Sequence, residues 1–466
     1  MPLPAFIIWT LPTENRMNTG RYPLYQFMSS RKPLAIILRY GLALVILFSI
    51  LVNIKLVVES FGYPEIFQKD IIQEYLLAKS ALSHVNPYLP MPELAPAFLG
   101  EIPLPLLPHP TPHTPAVIFL GLPFGLFTYQ LAAIGWFILE LTCLVLSVYL
   151  LLRWLGFKSI GKMTVLISFV ALGWESLMVE VVNGQLEMIL MILFLGVWLS
   201  HLKEKDVQSG IFLGVLMSIK LIGWPILLYF LLKRNWKFTL SALGSLALLN
   251  IGAGLVIGFD RILNYYLVVS QQVATLYRAY SANFSLFSIG YRLFDGTKSP
   301  ALFGVEAPPL FLSPQAADIV GYLIPGFFLV FTLYLALRIK DFNLSFVILM
   351  SSSLLVNPIV WHHYLILALV PLVILGKILH SQKWPKTETI IYVLTILLLL
   401  FSRVQIYNLA YILGGVKPMS GVSVQVSFWT SLITLEPILP IIGIIWLGWR
   451  LKPQQISNVD QGLLSS

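Results

Sequence analysis

Apolar runs of about 15 to 25 residues recur along the whole chain, separated by short polar stretches, and that pattern leaves few folds open. A chain segment crossing hydrocarbon finds no water for its amides, so it must satisfy them within a helix or a closed barrel. Runs of this length, without period-two alternation, point to helices. Composition agrees: of 466 residues, 58% are hydrophobic and 11% charged, where soluble domains carry about 25% charged residues. The expected fold is an all-α polytopic membrane protein. One integral domain would run over residues 33–452, between a leader at 1–32 and a tail at 453–466; the polar segments are too short to bury cores of their own.

The formal net charge is +9, but no basic stripe interleaved with aromatics follows from it. Lys and Arg sit in small clusters between apolar runs, which is the positive-inside pattern and not a nucleic-acid surface. Arg31 and Lys32 precede the first run, and Glu59 and Glu65 follow it. This places both termini in the cytoplasm and the first loop outside. The one cysteine, Cys143, lies in an apolar run, which excludes an intrachain disulfide and a cysteine metal site.

Two polar stretches stand out, residues 59–114 and 260–314, both on the outer side in this topology. In the first, Asp70 and Glu74 fall one helical turn apart within an expected helix over 66–83. Prolines are so frequent over 87–115 that no regular structure is expected there. Residues 115–127 are too short to cross and read as re-entrant or interfacial. Residues 163–182 and 186–202 read as an outward and a returning span hinged at Asn183-Gly-Gln185. Lys220 falls in the middle of the run 210–230, and a straight helix would bury its ammonium at the bilayer centre at a cost of several kcal/mol. Two half-helices broken near Lys220 avoid that. Residues 390–405 and 424–447 read as the last two spans, and 357–364 as an outer apex.

Asp70 is a candidate general base for an acceptor hydroxyl, or equally a carboxylate favoured by a helix N-terminus. Glu74 reads as a solvated partner of Lys79 or a supporting group. Lys220 is a candidate phosphate ligand or a lysine snorkelling from a helix end. Trp361-His-His-Tyr364 sets two imidazoles among aromatics, suited to a phosphate or leaving group, while an interfacial belt accounts for Trp361 and Tyr364. His109 and His113 read as loop residues. Tyr265, Tyr266, Tyr277, Tyr280 and Tyr291 suit sugar stacking or an interface alike. No nucleotide fingerprint is present, so a transferase active outside would take a lipid-linked donor. A transporter or flippase for a lipid-linked sugar would use the same cations without breaking bonds.

An ordered set of short motifs resembles a known family. It comprises Asp70 with Tyr75, Ala81-Leu82 and Asn86-Pro-Tyr88; His113-Thr-Pro115 with Leu122-Pro123; and Asn183-Gly-Gln185. Gly214 to Lys220 with Pro225, Asn283-Phe-Ser-Leu286, and Asn357-Pro358 to Trp361-His-His-Tyr364 complete it. The set resembles the GT-C glycosyltransferases of the GT87 type, the polyprenyl-phosphate-mannose-dependent α-mannosyltransferases. The resemblance implies a GT-C-like bundle of about 10–13 membrane helices with two large extracytoplasmic loops and at least one re-entrant or broken segment. It implies an integral protein of the bacterial plasma membrane with its active site outside. The substrates would be a polyprenyl-phosphate sugar and a glycolipid or glycan acceptor. By resemblance Asp70 is the base and His363 acts catalytically. Lys220, His362 and Arg292 are the candidate ligands of the donor phosphate, and Tyr75, Asn86, Tyr88, Gln185, Asn283, Trp361 and Tyr364 the candidate substrate contacts. Many GT-C enzymes carry an Asp-x-Asp or Glu-x-Asp pair, where Asp70 is followed by Ile71 and Ile72; no metal or other cofactor is expected.

Overall fold

The computed structural model describes residues 32–299, 304–416 and 423–452. The expected leader and tail lie outside these residues. What is described is mostly helical, as the apolar runs require, with almost no strand. Four helices are long and apolar enough to cross a membrane: Tyr129–Trp154, Trp236–Ile257, Pro314–Arg338 and His362–Ser381. Three further pairs qualify only as bent spans, so the described residues hold four to seven spans by length and composition. Four shorter apolar helices accompany them, and Lys32–Glu59, at 28 residues, is about 42 Å long at 1.5 Å per residue. Against the ten to thirteen membrane helices expected, some of them re-entrant or broken, the described residues hold four to seven spans and four shorter apolar helices.

The bends correct the sequence reading. Residues 163–182 are not one straight span; Ile160–Ala171 and Glu175–Asn183 meet at 79°. The penultimate span also breaks, with Lys386–Leu399 and Arg403–Leu413 at 87°. There Ser402 accepts from the amide of Gln405 at 3.0 Å while the Gln405 side chain accepts from Ser402 at 2.9 Å. This capping box satisfies the first amides of a new helix and so starts one. The two bends are joined: Trp174 Nε1 donates to Leu399 O at 2.8 Å and Arg403 N to Glu175 Oε2 at 2.6 Å. The last run opens with a strand and a short helix, Phe428–Leu435, which bends by 47° into Ile438–Arg450.

The break near Lys220 is present. Asp206–Ile219 ends with Lys220 extended at φ −152°, ψ 127°, and Trp224–Leu232 starts after it with proline in its first turn. The first half-helix lies tightly on Trp236–Ile257, because Gly210 and Gly214, four residues apart, leave no side chain between the backbones. A Cβ at either would run into the Phe238 or Ala242 carbonyl. Small residues at this spacing let membrane helices approach closely.

The first polar stretch is more ordered than its prolines suggest. After a 3₁₀ turn at Glu65–Gln68, the helix Ile72–Leu82 is buried on nearly every side. A second helix, Met91–Leu99, forms within the stretch expected to be irregular. Pro92 sits in its first turn, where no intrahelical amide bond is lost, and a nine-residue helix tolerates Pro96 because few such bonds exist to lose. Residues 115–125 form a short helix whose Gly121 and Gly125 pack on Glu74 and Ala78.

One small sheet interrupts the helices. Strands β1 (Val305–Glu306) and β2 (Val424–Gln425) pair in parallel, and single bridges join Tyr280 to Lys298 and Thr297 to Ala307.

Candidate active site

Asp70 is held at its backbone and its side chain by one turn. Its amide donates to Asn183 O at 2.6 Å, and Gln185 Nε2 donates to Asp70 Oδ2. Gln73 Nε2 donates to the other carboxylate oxygen at 3.2 Å. Between Asn183 and Gln185, Gly184 adopts φ +68°, and a Cβ there would lie 3.2 Å from Ile71 Cγ2. A glycine is therefore needed both for the left-handed turn and for the close approach. Lys69 fastens the same joint, donating to Ser60 Oγ at 2.8 Å and to the carbonyls of Val181 and Val182 at 3.2 and 2.8 Å. The motif read as a hinge between spans is also the clamp on Asp70.

Burial raises Asp70 to about 6, and the Glu74 charge adds to the shift. His113 and the hydrogen bonds from Gln73 and Gln185 oppose it. The carboxyl is thus poised close to neutral pH, where a general base works best.

Glu74 is not a solvated partner of Lys79. It is buried, and its carboxylate pairs with His113 Nδ1, also buried. Lys79 instead lies 5.5 Å from the Tyr75 ring. Thr114 ties this loop to the broken span through hydrogen bonds to the carbonyls of Ser218 and Ile219, the latter at 3.1 Å. His113 and Lys220, distant in sequence, are brought to the same region by that contact. His109, also read as a plain loop residue, meets Tyr277 Oη through Nε2 at 2.6 Å.

Lys220 pairs with Glu187 Oε1 and lies 3.9 Å from the Tyr364 ring centroid. His363 Nε2 stands 3.7 Å from the other oxygen of Glu187. Glu187 therefore stands between Lys220, its ion-pair partner, and the His363 ring, and sequence reasoning passed over it. The available signal was its place: two residues after Gln185, opening an otherwise apolar helix. Since Gln185 holds Asp70 and Glu187 holds Lys220 beside His363, one turn of chain joins the candidate base to the candidate lysine and imidazole.

Glu180, Glu187 and His363 present ligand atoms within 4.8 Å of one another. Glu187 already neutralises Lys220, and Glu180 Oε1 accepts from the Met188 amide at 3.1 Å. A divalent ion would have to compete with that ammonium.

The remaining candidates divide. Trp361 packs edge-on to Tyr277 at 5.3 Å, near the His109 contact. His362 turns away from His363 toward Glu175, at 3.5 Å, and so sits at the joint between the two bends. Tyr75 Oη donates to Phe127 O at 3.0 Å, and Tyr88 Oη to His113 O at 3.2 Å. Asn86 caps the Tyr88 amide at 3.1 Å. Asn283 is buried; its side chain donates to Pro358 O at 2.9 Å and accepts from Val360 N at 3.0 Å, which fixes the loop before Trp361. Arg292 does not join the cluster. Fully buried, it donates to Thr434 Oγ1 at 2.6 Å and to the carbonyls of Tyr280, Ser281 and Asn283 at 2.8, 3.0 and 2.6 Å.

A carboxyl held near neutrality is thus joined through one turn of chain to a buried lysine and imidazole in a helical protein. The sequence model of glycosyltransferase family 87 matches residues 112–358. The chain belongs to glycosyltransferase family 87. The matched stretch holds His113, Gln185, Glu187, Lys220 and Asn283, while Asp70 precedes it and the histidine pair follows it. No curated protein and no solved structure matches the chain. Family membership and apolar helices together make this protein a membrane glycosyltransferase.

Proposed function

We propose that this family 87 protein transfers a hexose such as mannose from a polyprenyl-phosphate donor to a glycolipid or glycan acceptor on the extracytoplasmic side. The observation that carries the reading is the Gln185–Glu187 turn, which places Asp70 on one arm and Lys220 with His363 on the other. Asp70 takes the proton of the acceptor hydroxyl as its oxygen bonds to the anomeric carbon. The bond from that carbon to the phosphate oxygen breaks, and polyprenyl phosphate leaves. Displacement in one step inverts the anomeric centre. Lys220 and His363 face the charge that gathers on the leaving phosphate, where a partly dehydrated site strengthens each contact. Tyr364 backs Lys220, and Gln185 holds the base in place. No metal enters this scheme.

The test is transfer from a panel of radiolabelled polyprenyl-phosphate sugars, in membranes holding the wild type or Asp70→Asn. One sugar should move to acceptor with the wild type alone. A flippase would instead carry labelled lipid across reconstituted vesicles with either variant and consume no donor. Membership of a glycosyltransferase family favours bond-breaking over transport.

A further inference from the structure

A recess with mixed polar and apolar walls lies beyond the cluster just described. It is an open recess of about 780 Å³, with Thr275, Tyr280, Lys298, Glu306 and Gln425 on its polar side and Pro308 on its apolar side. Sites for drug-sized ligands occupy roughly 300–1,000 Å³, so more than one sugar ring fits.

Its walls are built on the small sheet. Lys298 and Tyr280 are bridged across the backbone, and Glu306 and Gln425 are register partners in β1 and β2. Arg292 underpins the platform from below through the carbonyls of Tyr280 and Ser281. A helical membrane protein gains nothing in spanning lipid from such a platform, but a rigid edge holds side chains in fixed positions for a ligand.

The chemistry of the walls selects the ligand. Both charges already have partners: Lys298 Nζ meets Asp295 at 3.0 Å, and Glu306 accepts from Ser423 Oγ at 2.8 Å and Gln425 Nε2 at 2.6 Å. A phosphate or polyanion would meet two carboxylates, Asp295 and Glu306, against the single ammonium of Lys298. Hydroxyls, an amide and satisfied charges on either side of an aromatic ring suit a neutral polyol, whose C–H faces pack on rings while its hydroxyls bond at the rim. An aromatic path leads back toward the reaction site. The Tyr280 ring meets Tyr277 at 5.0 Å, and Tyr277 meets Trp361 at 5.3 Å and His109 at 2.6 Å.

We infer that this cavity is a subsite for the neutral sugar residues of an extended glycan, the portion of the acceptor that lies beyond the hydroxyl being glycosylated. As an acceptor subsite it rests on the transfer reading; as a carbohydrate site it stands on the cavity.

The experiment measures binding, not turnover. Full-length protein in nanodiscs is titrated with neutral trisaccharides of mannose, glucose and galactose, with the matching methyl monosaccharides, and with mannose 6-phosphate, by saturation-transfer NMR. At least one trisaccharide should bind tenfold or more tightly than its monosaccharide and than the phosphorylated sugar. Tyr280→Ala and Glu306→Gln should each weaken it at least tenfold, and Asp70→Asn should leave it unchanged. Thr275→Trp, at an exposed wall position, should block binding by filling the space without removing a packing contact. Binding of no trisaccharide, or equal binding by the Tyr280, Glu306 and Thr275 variants, overturns the subsite. Trisaccharide binding without sugar transfer from any polyprenyl-phosphate donor would leave the carbohydrate site standing while the transfer reading fell.

Discussion

Glu187 meets Lys220 with one carboxylate oxygen and faces His363 with the other, at 3.7 Å from its Nε2. The three come from different parts of the chain, and Glu187 is completely buried. Removing one partner of a buried ion pair leaves the other uncompensated, at about 3 kcal/mol or more. Glu187→Gln should therefore lower the midpoint of thermal unfolding markedly and reduce transfer. The double variant Glu187→Gln with Lys220→Met should regain much of the stability and none of the activity. Calorimetry with a transfer assay separates the two effects; a stable single variant would remove Glu187 from its role.

Asp70→Asn should fold like the wild type and lose transfer by about a hundredfold or more, the usual contribution of a general base. Gel filtration and donor turnover on the same preparation check this.

The pH profile should show the Asp70 titration. Only the carboxylate accepts a proton, and burial holds this group at about 6, so transfer should fall as pH drops through 6. Hydrogen bonds from Gln185 stabilise the charged form, so Gln185→Ala should move the acid limb to higher pH. The Glu74 charge disfavours it, so Glu74→Gln should move the limb to lower pH. Shifts of the same sign in both variants would contradict this electrostatic account.

Gly184→Ala should cost about 1–2 kcal/mol from its left-handed backbone, and more from contact with Ile71. Because the turn positions Gln185, transfer should fall beyond what the stability loss explains. Unfolding and kcat measured together distinguish these.

Arg292→Lys keeps the charge but loses the planar fork that serves three carbonyls. The expected result is a destabilised protein with an unchanged KM for the donor. A raised KM with unchanged stability would return Arg292 to the phosphate.

Much of the molecule was legible from its residues. The buried position of Lys220 required a broken helix, because an ammonium at the bilayer centre is costly, and the break is there. Asn183-Gly-Gln185 was legible as a turn, since glycine between two polar residues interrupts an apolar run. The bends at 171–175 and 399–403 were not. Mean hydropathy is nearly blind to a helix that turns, and the Arg403–Glu175 contact that fixes them joins residues 228 apart. Met91–Leu99 was hidden because prolines mark helix starts and loops alike.

The sequence by itself determined the solvent of this protein and the kinds of chemistry available to it. Long apolar runs demand internally bonded helices in lipid, and the few polar residues set among them are too costly to keep without use. Only the tertiary structure decided which of those residues meet. Glu74 found His113, Glu187 found Lys220 and His363, and Arg292 turned inward to backbone carbonyls. Each pairing depends on where helices separated by tens to hundreds of residues come to rest. A buried charge is partnered by whatever the packing brings within reach, and local sequence does not encode that choice.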